Sequence, residues 1–140
     1  MVTPKQQLRV YLVEDSPILL RLLKELLKGV GVCIVGHSNS ATVAISEIAA
    51  LLPDVIIVDI ALQSGNGFEV LRTFAGRKQD DCPTRIVLTN FTSAPYRSAA
   101  EQLGVEYFFD KSFEILEMVK AVTSMTAGAH KRNDSDACRN

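Results

Sequence analysis

Five short apolar runs, each followed by a longer stretch of helical character, set the architecture open to this chain. "LRVYLV" (8–13), "GVCIVGH" (31–37), "DVIIVD" (54–59), "TRIVLT" (84–89) and "VEYFFD" (105–110) are rich in Val, Ile and aromatic residues. Several are apolar on both faces, as a strand covered from both sides must be. Helices are expected over 17–29, 40–52, 66–78, 93–103 and 113–126. Pro17 suits the first turn of the first helix, with Ser16 or Asp15 as its cap. Gly29 and Gly104 suit helix ends, and Pro53 stops the second helix. Strands alternating with helices in this way predict an α/β fold: a doubly wound, five-stranded parallel sheet, (βα)5.

The 140 residues suffice for one domain with a real core. The expected division is a short tail over 1–7, a domain over 8–126 and a polar, disordered tail over 127–140. A net charge of −1 gives no general reason to bind nucleic acid or an anionic membrane. The opening "MVTPKQQ" is polar and no apolar signal segment follows it. No apolar run approaches the roughly 20 residues that cross a bilayer. Three cysteines (Cys33, Cys82, Cys138) without CxxC spacing argue against a disulfide framework or a zinc site, and for a reducing compartment. The expectation is a soluble cytoplasmic domain with no membrane insertion.

In an open parallel sheet, ligands bind beyond the carboxyl ends of the strands. There the first run ends in Glu14 and Asp15, the third in Asp59 and the fourth in Thr89, with Lys111 just past the fifth. Each alone is an ordinary strand end. Together they place three carboxylates, a hydroxyl and an ammonium on one rim. Three packed acids raise one another's pKa. A hard divalent cation relieves that, and Mg²⁺ prefers a few carboxylates plus waters. A lysine and a hydroxyl on the far side of Asp59 would complete a pocket for a tetrahedral oxyanion. This layout suits phosphoryl transfer to a carboxylate, with Asp59 attacking in line.

Over residues 8 to about 126 the chain resembles the receiver domains of two-component signalling, in particular the single-domain, chemotaxis-type receivers. The matching residues are the pair Glu14–Asp15, Asp59 after "VIIV", Gly67 in "SGNGFEVL", Thr89 ending "IVLT" and Lys111 after "YFF". The resemblance implies a flavodoxin-like strand order, 2-1-3-4-5. It implies that Asp59 accepts a phosphoryl group from a histidine kinase or phosphotransfer protein. It implies Mg²⁺, or Mn²⁺, held by Asp15, Asp59 and the backbone carbonyl of Ala61, with Glu14 acting through water. Lys111 would contact the phosphoryl group, Thr89 would move to bond it, and Phe108 would turn inward as the switch aromatic, unless it is simply core. Such a domain is not an enzyme, although it phosphorylates itself from small donors and dephosphorylates itself. With no output domain after residue 126, output would come by phosphorylation-dependent binding to another protein, without direct contact with nucleic acid.

Three positions depart from the family pattern. Ser112 stands where a proline with a cis bond usually follows the lysine. A cis non-proline bond costs about 2.5–4 kcal/mol, so a trans bond is favoured and Ser112 can cap the last helix. Asn90 replaces a small residue beside the phosphorylation site, where it would narrow access or bond the incoming group. Gln63 replaces a frequent proline. A Mg²⁺-dependent phosphohydrolase on a similar sheet is the alternative, weakened because Ala61 supplies no second acid near Asp59. A flavin-nucleotide binder is opposed by the carboxylates of "EDSP". Finally, the first helix carries an apolar arc wider than a sheet needs. Leu19, Leu22, Leu23, Leu26, Leu27 and Val30 form the stripe, and Ile18 and Leu20 extend it as an expected docking surface for the phosphoryl-donating partner.

Overall fold

The structure, a computed structural model, describes residues 7–75 and 82–126. The two tails expected at the termini therefore lie wholly or largely outside the described residues, whereas the third helix, expected to run to 78, already ends at Thr73 with Phe74 as its C-cap. The elements follow in strict alternation: β1 (Arg9–Val13), α1 (Pro17–Gly29), β2 (Cys33–Ser38), α2 (Ala41–Leu51), β3 (Val55–Val58), α3 (Gly67–Thr73), β4 (Thr84–Thr89), α4 (Ala94–Gln102), β5 (Tyr107–Asp110) and α5 (Ile115–Thr126). All neighbouring strands pair in parallel, in the order β2-β1-β3-β4-β5. This is the doubly wound sheet and the strand order expected from the sequence.

Strand periodicity divides the core into two layers. Val10, Leu12, Val55, Ile57, Ile86 and Leu88 face α1 and α5, where they meet Leu23, Leu27, Met118 and Val122. Their alternates Tyr11, Val13, Ile56, Val58 and Val87 face the other helices, meeting Ala44, Ile48, Val70, Leu71, Phe74 and Ala100. The three central strands are buried on both faces, which explains their unbroken apolar runs. β2 and β5 form the edges and are only partly buried. At β2, Gly36 is dictated by packing, because a Cβ there would lie 2.9 Å from the Tyr11 ring.

The caps are local chemistry. The Ser16 hydroxyl accepts from the Leu19 N–H and starts α1 one residue before Pro17. α2 stops where Leu52 adopts a left-handed conformation ahead of Pro53. Gly104, at φ 73°, follows the end of α4. Asn66 and Glu69 form a reciprocal capping box at the head of α3.

Four expectations need correction. β5 begins two residues later than its apolar run, at Tyr107. Ser112 does not cap the last helix, which starts at Ile115, and its hydroxyl goes elsewhere. Leu20 is half-buried and packs against the α1–α5 core layer, whereas Leu22, placed in the buried stripe, is 42% exposed. Cys33 is disulfide-bonded, which overturns the expectation of unpaired thiols there, while Cys82 is free. Among the described residues no helix is long and apolar enough to cross a membrane.

Candidate functional site

Register places the strand ends side by side. Val13 pairs with Val58, Val58 with Val87, and Thr89 with Asp110. The backbone ladder then continues into the site. The Glu14 N–H donates to the Ser38 carbonyl (3.0 Å), the Asp59 N–H to the Val13 carbonyl (2.9 Å) and the Lys111 N–H to the Thr89 carbonyl (2.8 Å). Glu14, Asp59 and Lys111 are thus set on one rim by hydrogen bonds of the sheet itself.

Their side chains meet. The Lys111 ammonium lies 2.6 Å from Asp59 Oδ2 and 3.0 Å from Glu14 Oε1. It also donates to Glu14 Oε2 at 3.2 Å. Glu14 and Asp59 are both buried, at 5% and 6% exposure, so the ammonium is the counter-ion that permits two acids to sit there. Lysine therefore stands between the two carboxylates, not on the far side of Asp59. Burial pushes the Glu14 carboxyl above the ordinary range, against the pull of the Ser16 N–H and of Lys111. Burial alone would lower the Lys111 pKa, but its hydrogen bond and charge contact with Asp59, then Glu14, raise it overall.

Asp15 faces another way. Its Oδ1 accepts from the Gln63 N–H at 2.9 Å, pinning the loop after β3. In that loop Asp59 Oδ1 accepts from the Ala61 N–H at 3.2 Å. Gly67 presses on the Asp59 backbone carbonyl so closely that any Cβ would overlap it. This explains the glycine by close approach, not by flexibility. Thr89 is fully buried, and its Oγ1 accepts from the Phe91 N–H at 3.2 Å. Phe108 is half-buried within the second core layer, and the Arg97 guanidinium lies 4.5 Å from its ring centroid.

The oxygen-only donors Glu14, Asp15, Asp59 and the Ala61 carbonyl fit a hard cation in kind. Among the described residues, though, no group of three or more His, Cys, Asp or Glu side chains is already arranged to hold a metal ion. Lys111 bonds oxygens of both Glu14 and Asp59, and Asp15 Oδ1 accepts from the Gln63 N–H.

Sequence reasoning missed two contacts. The Ser112 hydroxyl donates to Asn90 Oδ1 at 3.0 Å, joining the loops that follow β4 and β5. Both residues stood out as departures from the family pattern, but nothing in their spacing pairs them. The Gln63 N–H on Asp15 is a backbone contact, which no side-chain pattern reveals.

The family model for the response regulator receiver domain matches residues 10–123. The chain is 31% identical over 122 residues to the DNA-binding transcriptional activator DevR/DosR of Mycobacterium tuberculosis, covering 86% of this chain and 55% of that protein. It is 33% identical over 84 residues to a protein-glutamate methylesterase/protein-glutamine glutaminase of Syntrophus aciditrophicus, covering 59% of this chain and 23% of that one. It thus spans about half the length of the first relative and a quarter of the second. Among solved structures, the signal receiver domain of a putative Luxo repressor protein from Vibrio parahaemolyticus superposes with a TM-score of 0.75 at 28% identity, covering 88% of this chain and 92% of that one. With that match across nearly all of the described sheet, the chain belongs to the response regulator receiver domain family.

Proposed function

We propose that the chain accepts a phosphoryl group on Asp59 from a histidine kinase or phosphotransfer protein and signals by phosphorylation-dependent binding to another protein. The observation that carries this reading is the Lys111 ammonium held between Asp59 and Glu14 at the carboxyl ends of the sheet. An Asp59 carboxylate oxygen attacks the phosphorus. One P–O bond forms, and the bond from phosphorus to the donor's nitrogen or oxygen breaks, its electron pair leaving with the donor. Lys111, already at Asp59, bonds the transferred oxygens. Thr89 gives up its bond with Phe91 and donates its hydroxyl to the phosphoryl group. Phe108 follows into the space behind Thr89. Asp15, Asp59 and the Ala61 carbonyl, with Glu14 through water, would hold Mg²⁺ or Mn²⁺, which would supply positive charge to offset the negative charge of the transfer. Gln63, bonded to Asp15, aligns the loop that carries Ala61. The reading places the protein in the cytoplasm and includes self-phosphorylation by small donors and self-dephosphorylation.

Docking of the donor falls to the outer edge of α1. Ile18 is 83% exposed beside the acidic rim, with Leu22 one turn on. Leu20 drops out of this surface because it packs inward. The decisive experiment is incubation with acetyl phosphate and Mg²⁺, followed by intact-mass measurement. One phosphoryl group per chain is expected on the wild-type protein and none on Asp59→Asn. Equal labelling of the two proteins refutes the assignment.

A further inference from the structure

We propose that Asn90 and Ser112 form a positioning pair that latches the loop after Thr89 in its resting place and so sets how readily the site takes a phosphoryl group. The inference rests on the receiver reading above and names residues that the reading leaves without a role.

The loop after β4 is fastened at three successive residues. Asn90 Oδ1 accepts from the Ser112 hydroxyl at 3.0 Å. The Phe91 ring packs on Tyr96 with centroids 5.2 Å apart. The Thr92 carbonyl accepts from Arg97 Nε at 2.9 Å. The last two ties run to α4, which follows the loop in the chain and can travel with it. The Asn90 tie runs across the rim to the loop that carries Lys111.

Ser112 is the fixed post. Its N–H donates to Asp110 Oδ1 at 2.7 Å, and the Asp110 N–H donates to Glu114 Oε1 at 2.7 Å. The Glu114 N–H returns to the Asp110 carbonyl at 2.8 Å. The turn from 110 to 114 is therefore bonded to itself and to the start of α5. Among the described residues no peptide bond is cis, so the Lys111–Ser112 bond is trans. Ser112 stands where no proline ring stiffens the turn, and these side-chain bonds hold the turn in shape.

The consequence is a coupling of two requirements. In the switch proposed above Thr89 leaves the Phe91 N–H as it moves to the phosphoryl group, and Asn90 is the next residue along the chain. Moving Thr89 draws Asn90 away from Ser112 and breaks the bond. The resting arrangement is therefore favoured by the net worth of one hydrogen bond, about twofold to tenfold in an equilibrium constant. That factor opposes every event needing Thr89 in its forward position, whichever donor supplies the phosphoryl group.

The test uses trifluoroberyllate with Mg²⁺, a stable mimic of a carboxylate-bound phosphoryl group, titrated into the full chain and followed by the Thr89 and Phe91 amide resonances. Ser112 and Asn90 are both exposed, so neither substitution below opens a cavity. Ser112→Ala is expected to tighten apparent binding about twofold to tenfold and to speed labelling by acetyl phosphate in parallel. Ser112→Thr, which keeps the hydroxyl, is expected to match the wild-type protein in both. A Ser112→Ala protein that binds as the wild type does, or more weakly, overturns the latch. So does a Ser112→Thr protein that behaves like Ser112→Ala. Failure of the wild-type protein to bind trifluoroberyllate at all overturns the receiver reading and the latch with it.

Discussion

Tyr11 shows how tightly single residues are matched in this sheet. Its ring is fully buried against Gly36, yet its hydroxyl reaches the surface layer and donates to Glu47 Oε1 at 2.6 Å. Burial, then the hydrogen bond and charge of Glu47, raise the phenol's pKa well above its ordinary value. A group whose folded pKa is raised adds stability that is full below the unfolded pKa, about 10 for tyrosine, and is lost as pH climbs toward the folded value. Tyr11→Phe is therefore expected to cost about 1 kcal/mol near neutrality, the worth of one hydrogen bond. The gap should close and then reverse above about pH 10, as urea unfolding midpoints across pH would read. A constant gap contradicts this. The same matching decides what was legible in the rim. Asp59, Glu14 and Lys111 could be brought together from strand ends alone, because the register of a parallel sheet aligns those ends. That Lys111 bridges both acids, and that Asp15 turns to the Gln63 N–H, depends on side-chain directions set by the loop after β3. No periodicity encodes those directions.

Among the elements, α1 separates what helical geometry can and cannot tell. Its start at Ser16–Pro17 and its end at Gly29 follow from residues whose preferences are local, and both were readable. The facing of its apolar margin was half readable. A projection at 100° per residue places Ile18 and Leu20 on opposite flanks of the stripe, but only tertiary packing decides which flank has a neighbour. Leu20 joins the core layer shared with α5, and Ile18 faces solvent. Ile18→Glu is expected to slow phosphotransfer from a partner protein about tenfold, on the scale of one lost apolar contact, with labelling by acetyl phosphate unchanged. Leu20→Glu is expected to lower the melting temperature instead. Loss of both transfer rates in Ile18→Glu, or of neither, removes the docking surface from α1. Strand 5 taught the same lesson at an edge: Val105 and Glu106 carry the pattern of a strand but precede the ladder, because pairing there begins at Ile86 with Tyr107.

For the whole molecule, the described residues form two core layers on one sheet, and the rim is where that sheet ends. A ligand held by residues from β1 and β3 together clamps neighbouring strands and stabilises the entire fold. A ligand at one hundred times its Kd adds about 2.7 kcal/mol to stability. Mg²⁺ is expected to raise the melting temperature in this way. Asp15 is only half-buried and free of Lys111, whereas both Glu14 oxygens are held by the ammonium. Asp15→Ala should therefore abolish most of the Mg²⁺-dependent rise and Glu14→Ala less of it, as thermal melts with and without chelator would record. Equal losses contradict this ordering. The Lys111 N–H, bonded to the Thr89 carbonyl beneath these side chains, has one more consequence. Its hydrogen can be replaced by deuterium only when β4 and β5 part at their carboxyl ends. The isotope uptake of that single amide is thus a built-in clock for the opening of the rim, running with no phosphoryl donor or partner added.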